Sequence, residues 1–409
     1  MKYFSSAAGF FFAAILLLLW KITAFSQPVA SFYYDERGNV LRQAQDTNGD
    51  GKMDRSIIYS SQGQTERIEH DVNFDGKTDI VIYYESGKPV RQEIASKNDG
   101  HIDTWLYLNA KGEIERKGQD TERSGQPTVW IYYENGQPVR SEETAKAAGA
   151  ANRRVYYKDG KISRVEEDSN GDGRPDTFTF FENGELVRKD LDRKHTGKID
   201  LWGYYERGRL VKQGEDVRGD GKVSRLLYFR DDEVIRREED TAGRGRMDMI
   251  EFFAQNRLLQ RLRDSKGTGR WDTLYYYQDN QLVREERDTN GDGFFDLRIF
   301  YDKGATIAQE ADTNGDRRAD VWVRFENGER AEQLEDLKYQ GKVTARYVFK
   351  GGEVVHQEQL DNSEPPRPSE PFGDVERALQ IAAVQGISET AQTPASKVAS
   401  GVESRIEIK

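Results

Sequence analysis

DSNGDGRPDTFTFFENGELVRKD, residues 168–190, carries the pattern on which the fold is decided. It divides into an acidic, glycine-containing loop (Asp168–Asp176), a run of aromatic and β-branched residues (Thr177–Phe181), a corner at Glu182-Asn183-Gly184, and a second run through Asp190. Aromatic and β-branched residues in succession favour extended backbone. Asn-Gly between two such runs marks a hairpin corner, because both residues reach positive φ cheaply. No 3.6-residue periodicity survives the two glycine breaks, which excludes helix. The stretch is one loop followed by one β-hairpin.

Working outward, the corner recurs. Gly38, Gly63, Gly87, Gly112, Gly136, Gly160, Gly184, Gly208, Asp232, Asn256, Asn280, Gly304, Gly328 and Gly352 lie 24 or 25 residues apart and include only Gly, Asn and Asp. A fixed period in this range defines a repeat architecture. The expected fold is therefore all-β: a tandem array of about 14 β-hairpins over residues 27–361, forming an elongated or coiled antiparallel sheet.

The residue that ends the first strand is aromatic almost throughout, as at Tyr84, Tyr133, Phe181, Tyr205, Phe229, Tyr277 and Phe325. The residue before it is usually aromatic too (Tyr83, Tyr132, Phe180, Tyr204, Tyr228, Tyr276), and alternation along a strand sends it to the opposite face. Aromatic side chains on both faces predict that the sheet coils or folds back to bury one ladder. Second strands place Arg and Glu two apart (Arg91/Glu93, Arg140/Glu142, Arg236/Glu238, Arg284/Glu286), hence on one face, where they form charge ladders or a solvated surface.

Composition agrees with a thin structure. Hydrophobic residues are 36% and charged residues 33%, too polar for a large interior, while 11% aromatic content is too high for disorder. The net charge of -11 argues against nucleic acid as a partner. Residues 1–26 read as an export signal, with Lys2, the apolar stretch Gly9–Trp20 and small residues at Ala24 and Ser26. The expected location is periplasmic or extracellular, with membrane contact only through this segment if it is uncleaved. The chain has no cysteine, so stability must come from packing, metal or both. Residues 362–409 read as a proline-rich linker and a mostly disordered tail, with a short helix expected over 375–385.

Trp130-Ile-Tyr-Tyr-Glu-Asn-Gly136 and Trp202-Gly-Tyr-Tyr-Glu-Arg-Gly208 resemble the W-x-Y-Y-x-x-G core of MORN-variant repeats, and Tyr34-Asp-Glu-Arg-Gly38-Asn-Val-Leu41 is similar to YD repeats. The resemblance implies a hairpin array and no single activity.

Four loops hold D-x-N-x-D-G-x-x-D in full: Asp46, Asn48, Asp50 and Asp54; Asp71, Asn73, Asp75 and Asp79; Asp168, Asn170, Asp172 and Asp176; Asp288, Asn290, Asp292 and Asp296. This resembles the first nine residues of an EF-hand loop, in which alternate positions supply oxygens to Ca²⁺. The bidentate glutamate of position 12 is missing, so the affinity expected is modest. A fifth loop, Asp312–Asp320, has Arg317 in place of the glycine, and loops starting at Asp192, Asp240 and Asp264 keep only the first Asp, the glycine and the last Asp. In those copies the acidic residues read as turn formers.

His70, His101, His195 and His356 belong to different repeats and no nucleophile pattern stands near them, so no enzyme is expected. The sequence points to an exported, non-enzymatic scaffold or adhesive protein-binding module stabilised locally by calcium. The alternative is a cell-envelope carbohydrate- or peptidoglycan-binding protein using an exposed column that includes Trp105, Trp130, Trp202 and Trp322. In either case the partner is a protein or glycan of the envelope.

Overall fold

A computed structural model describes residues 29–144, 151–366 and 371–374. It contains 28 strands, numbered in chain order from β1 (Val29–Tyr34) and β2 (Val40–Asp46) to β28 (Glu353–Ser363), and no helix among the described residues. The chain divides into two compact units, residues 1–160 and 161–409. Within the first, strands up to β11 (Arg153–Lys158) pair antiparallel, each with the next in sequence. Within the second, β12 (Lys161–Glu167) to β28 do the same. The fold is all-β, a tandem hairpin array. The expected helix at 375–385 and the export signal at 1–26 lie outside the described residues.

All 14 corner residues have positive φ, from 60° at Asn256 to 89° at Gly184. At eleven corners the preceding residue is also left-handed, as at Asn183 (53°), which is the two-residue turn whose twist suits a hairpin. The corners at Gly38, Gly63 and Gly112 are one step longer. There Asp35, Ser60 and Asn109 hold the turn by accepting N–H bonds from residues two and four further on.

One element has no signature in the sequence pattern. In every hairpin that lies within one unit the register slips beside the corner. In β13 (Thr177–Glu182) and β14 (Glu185–Leu191), Phe180 faces Arg188 whereas Phe181 faces Leu186, so Val187 is an extra residue. The same bulge leaves Val90, Val211, Ile235 and Val283 unpaired within their own hairpins. A bulge reverses the facing of everything beyond it. Leu186 therefore shares a face with Phe181, and Arg188 shares the other with Phe180.

This explains why the sheet does not need to fold back. Most aromatic side chains of both ladders are half-buried, with Phe252 buried and Tyr33 and Tyr34 exposed, and neither ladder is enclosed along its length as predicted. On one face the rings lie beside an arginine or lysine; on the other most lie opposite an apolar residue or proline next to the corner, as Tyr84 opposite Pro89 and Tyr205 opposite Leu210. Long side chains provide the cover that a second layer would otherwise supply.

Among the described residues, a dry core exists in one place. In the second unit, Ile250, Phe252, Leu262, Leu274, Phe295, Ala319, Trp322 and Val343 pack with Phe372, which is 3% exposed. Phe372 comes from the segment read as a linker. Its N–H donates to the Arg317 carbonyl, and the Phe295 N–H donates to the Gly373 carbonyl. The last strand likewise continues to Ser363, two residues past the array boundary expected at 361.

Candidate functional site

The first candidate is the face that carries Phe180 and Arg188. Because strands pair in a repeated register, single cross-strand rows run through each unit. In the second, Phe180 faces Arg188, Arg188 faces Tyr204, Tyr204 faces Lys212, Lys212 faces Tyr228, Tyr228 faces Arg236 and Arg236 faces Phe252. Ring and cation alternate at close range. Lys212 Nζ lies 5.6 Å from the Tyr204 centroid and 5.5 Å from that of Tyr228, and the Arg236 guanidinium lies 5.3 Å from Tyr228. Tighter stacks occur in both units: Arg91 over Tyr83 at 3.9 Å, Arg116 over Tyr107 at 4.1 Å and Arg140 over Tyr132 at 4.3 Å in the first, and Arg284 over Tyr276 at 3.8 Å in the second. Each is a cation–π contact worth about 0.5–1 kcal/mol when partly exposed.

The Arg/Glu pairs expected from the sequence all form, with Arg236–Glu238 at 2.7 Å, Arg91–Glu93 at 3.2 Å, and Arg140–Glu142 and Arg284–Glu286 at 3.5 Å. Their role is larger than a charge ladder, since each arginine is fixed by its glutamate while it lies on a ring. Burial and the Glu238 carboxylate together push the Tyr228 hydroxyl up to about 12. Sequence reasoning missed the pairing of ring with cation because, without the bulge, strict alternation assigns Arg188 to the wrong face.

The tryptophans are not a uniform exposed column. Trp105, Trp130 and Trp202 are half-buried, whereas Trp322 is 4% exposed and belongs to the core. Gly118 stands opposite Trp130, and Gly214 opposite Trp202. A Cβ on Gly118 would come within 3.1 Å of the Trp130 ring, so the indole occupies the space a side chain would take.

The second candidate is the set of acidic loops. In the loop 46–54, the Asp46 carboxylate accepts the Gly49 N–H at 2.6 Å and the Gly51 N–H at 2.8 Å. Asn48 Oδ1 accepts the Asp50 N–H, and Asp50 Oδ1 accepts the Lys52 N–H. Asp54 accepts both the N–H and the hydroxyl of Thr47. The other complete loops use Asp71, Asn73, Asp75 and Asp79; Asp168, Asn170, Asp172 and Asp176; and Asp288, Asn290, Asp292 and Asp296 in nearly the same way. The first and last carboxylates are mostly buried, while Asp50, Asp75, Asp172 and Asp292 in the middle are exposed. Among the described residues, no group of three or more His, Asp or Glu side chains converges as a cation cage.

The degenerate loops close on the same first carboxylate. Asp240 accepts the N–H groups of Arg244 and Gly245, and Asp264 those of Thr268 and Gly269. Where the last Asp is replaced by Ser224, Thr128 or Thr344, the hydroxyl accepts the same N–H bond. Arg317 takes the glycine's left-handed conformation (φ 70°) and its N–H donates to Asp312 at 2.7 Å. The loops are also joined to one another: the N–H of Asp71 donates to the Asp54 carbonyl, that of Asp216 to Asp200 and that of Asp240 to Ser224.

Burial pushes the carboxyl of Asp216 up, but N–H donors from Gly221, Gly219, Asp220 and Arg218 outweigh it and hold the group below 3.8. Asp120, Asp192 and Asp240 behave alike. Asp320 goes the other way, raised by burial and then by the charges of Asp312 and Asp316 against the bonds from Thr313. The histidines are not brought together. His195 Nδ1 stands 3.3 Å from Asp176 and His101 Nε2 3.7 Å from Asp120, each linking neighbouring loops.

No family model matches the chain, and no curated protein matches it. Solved structures share segments. One, of accessory secretory proteins 1, 2 and 3 of Streptococcus pneumoniae, is 21% identical over 28% of this chain and 19% of that one, with a TM-score of 0.20. The TcdB2–TccC3 structure is 10% identical over 79% of this chain and 23% of that one, at 0.15. A Photorhabdus luminescens Tc holotoxin pore is 12% identical over 82% and 24%, at 0.14. The chain spans about a quarter or less of these structures, and scores this low carry no argument.

Proposed function

We propose that this repeat scaffold is an exported, non-enzymatic binding module that presents its ring-and-cation face to a protein of the cell envelope. The observation that carries the reading is the row itself: aromatic and basic groups held in one register over many hairpins, with Arg91, Arg140, Arg188, Arg236 and Arg284 each fixed by a neighbouring carboxylate. Aromatic and arginine side chains dominate protein contact energies, and pre-ordering them lowers the entropy lost on binding. The MORN-variant and YD resemblance belongs to this reading at the level of the hairpin. The test is quantitative co-purification from an envelope extract by the wild type and by the Arg91→Glu, Lys212→Glu double variant. A specific partner should be lost with the variant. An identical set of partners from both would overturn the reading.

Calcium is the finer part of the proposal. It is supported by the alternating oxygens of the four complete loops and by exposure of their middle carboxylates. Because seven further described loops close without that full set, the ion would stiffen a loop already formed and would not create it. Calorimetry with calcium and with chelator should show a higher melting temperature with the ion, and a smaller difference for Asp50→Ala with Asp75→Ala. Coincident scans would remove calcium from the account.

A further inference from the structure

β1 is the first described strand, and it pairs on one side only among the described residues, with β2. Its sequence VASFYY has no charge and no proline, the devices by which edge strands are usually protected. Val29, Phe32, Tyr33 and Tyr34 are 48–63% exposed, the densest run of exposed apolar side chains in the described chain.

The internal hairpins show what such an edge accepts. Wherever a first strand has a strand before it in this unit, an arginine meets it from that side: Arg42 faces Ile58, and Arg67, Arg91, Arg116 and Arg140 face the rings of Tyr83, Tyr107, Tyr132 and Tyr156. On its other side the same ring meets its own hairpin's cation, as Tyr83 meets Arg91. Tyr33 has the second contact, with Arg42 at 5.5 Å, and no described residue supplies the first. Two residues after each incoming arginine that faces a ring stands Glu69, Glu93, Gly118 or Glu142.

We infer that β1 is a docking edge for an extended segment of a partner protein that adds as an antiparallel strand. The segment carries a basic residue opposite Tyr33 and an acidic or small residue two positions later, opposite Ser31. Backbone hydrogen bonds supply the affinity, and the cation on Tyr33 supplies the register. This deepens the scaffold reading by naming the chemistry of one partner, at a site separate from the residues altered in the co-purification test.

The probe is a labelled peptide copying Lys88–Ala95 of this chain, which has the required pattern, titrated against the full chain by fluorescence anisotropy. The parent peptide should bind saturably. Its Arg91→Ala version should bind roughly two- to five-fold more weakly, and its Gln92→Pro version should not bind, because proline breaks strand pairing. Protein carrying Tyr33→Ala should bind the parent peptide and its Arg91→Ala version equally. Absence of saturable binding, or an arginine effect that persists in the Tyr33→Ala protein, would overturn the inference. So would concentration-dependent self-association abolished by Tyr33→Ala, which would assign the edge to a second copy. Because the peptide substitutions leave the protein unchanged, the test survives any folding defect of the protein variant, and a negative result leaves the face-binding proposal standing.

Discussion

The hairpins of residues 29–160 and those around residues 249–345 are built on one plan, yet they bury their side chains differently. In the first region the fully buried apolar residues are Ala44, Ala95 and Val155. In the second they include Ile250, Phe252, Leu262, Leu274, Phe295, Trp322 and Val343, assembled beneath Phe372. The difference shows that the repeat does not require a dry core. Ion-paired arginines lying on rings, with hydrogen-bonded corners and loops, provide enough order, and apolar packing is added where the chain returns to cover one face.

The comparison can be broken most directly at the cover. Phe372→Ala removes a 3%-exposed ring from the core and should cost about 3–5 kcal/mol. Hydrogen exchange should show the loss at residues 249–345 with protection at residues 29–144 unchanged. A uniform loss over the whole chain would mean that the two regions unfold together. Next in size are the loop carboxylates, which both regions share. Asp248 is 3% exposed and accepts the N–H and hydroxyl of Thr241 and the N–H of Ala242. Asp248→Ala should cost about 1–3 kcal/mol in chemical denaturation, and Asp248→Thr much less, because Thr128 and Thr344 already fill that position elsewhere.

A gain is expected where the plan is strained. Phe74 has φ 63°, at the loop position held by Gly49, Gly171 and Gly291 in the other complete loops, and is 43% exposed. Phe74→Gly should stabilise the first region by about 1 kcal/mol, read as a higher denaturation midpoint at unchanged slope. The smallest effect is the response to acid. Asp120, Asp192, Asp216 and Asp240 are held below their ordinary value in the folded chain. Their contribution is full above pH 3.8 and is lost as pH falls through their lower folded values. Asp320 has the opposite sign, its folded value being raised, so protonating it relieves the second region as pH drops. Asp320→Asn should therefore flatten none of the acid loss in residues 29–144, measured by exchange between about pH 5 and about pH 2.

Much of this was legible from local pattern. Positive φ at all 14 corners follows from the residue types there, and the turn-forming role of Asp240 and Asp264 follows from loops that have lost their middle oxygens. The bulge at Val187 was not legible, because Leu-Val-Arg reads equally well with or without an extra residue. Missing it concealed the row of rings and cations. Phe372 was hidden for another reason. Its flanking prolines mark a break in the array, and nothing local says that the chain comes back.

The joining of successive loops within each unit has a consequence for survival among proteases. Such enzymes seek long, polar surface excursions, and they must draw the backbone out straight to cut it. Here both shoulders of an excursion are pinned, one to its own hairpin and one to the loop before, while a carboxylate holds the tip from inside. The margin that looks most vulnerable from its composition should be among the last parts of the chain to be nicked.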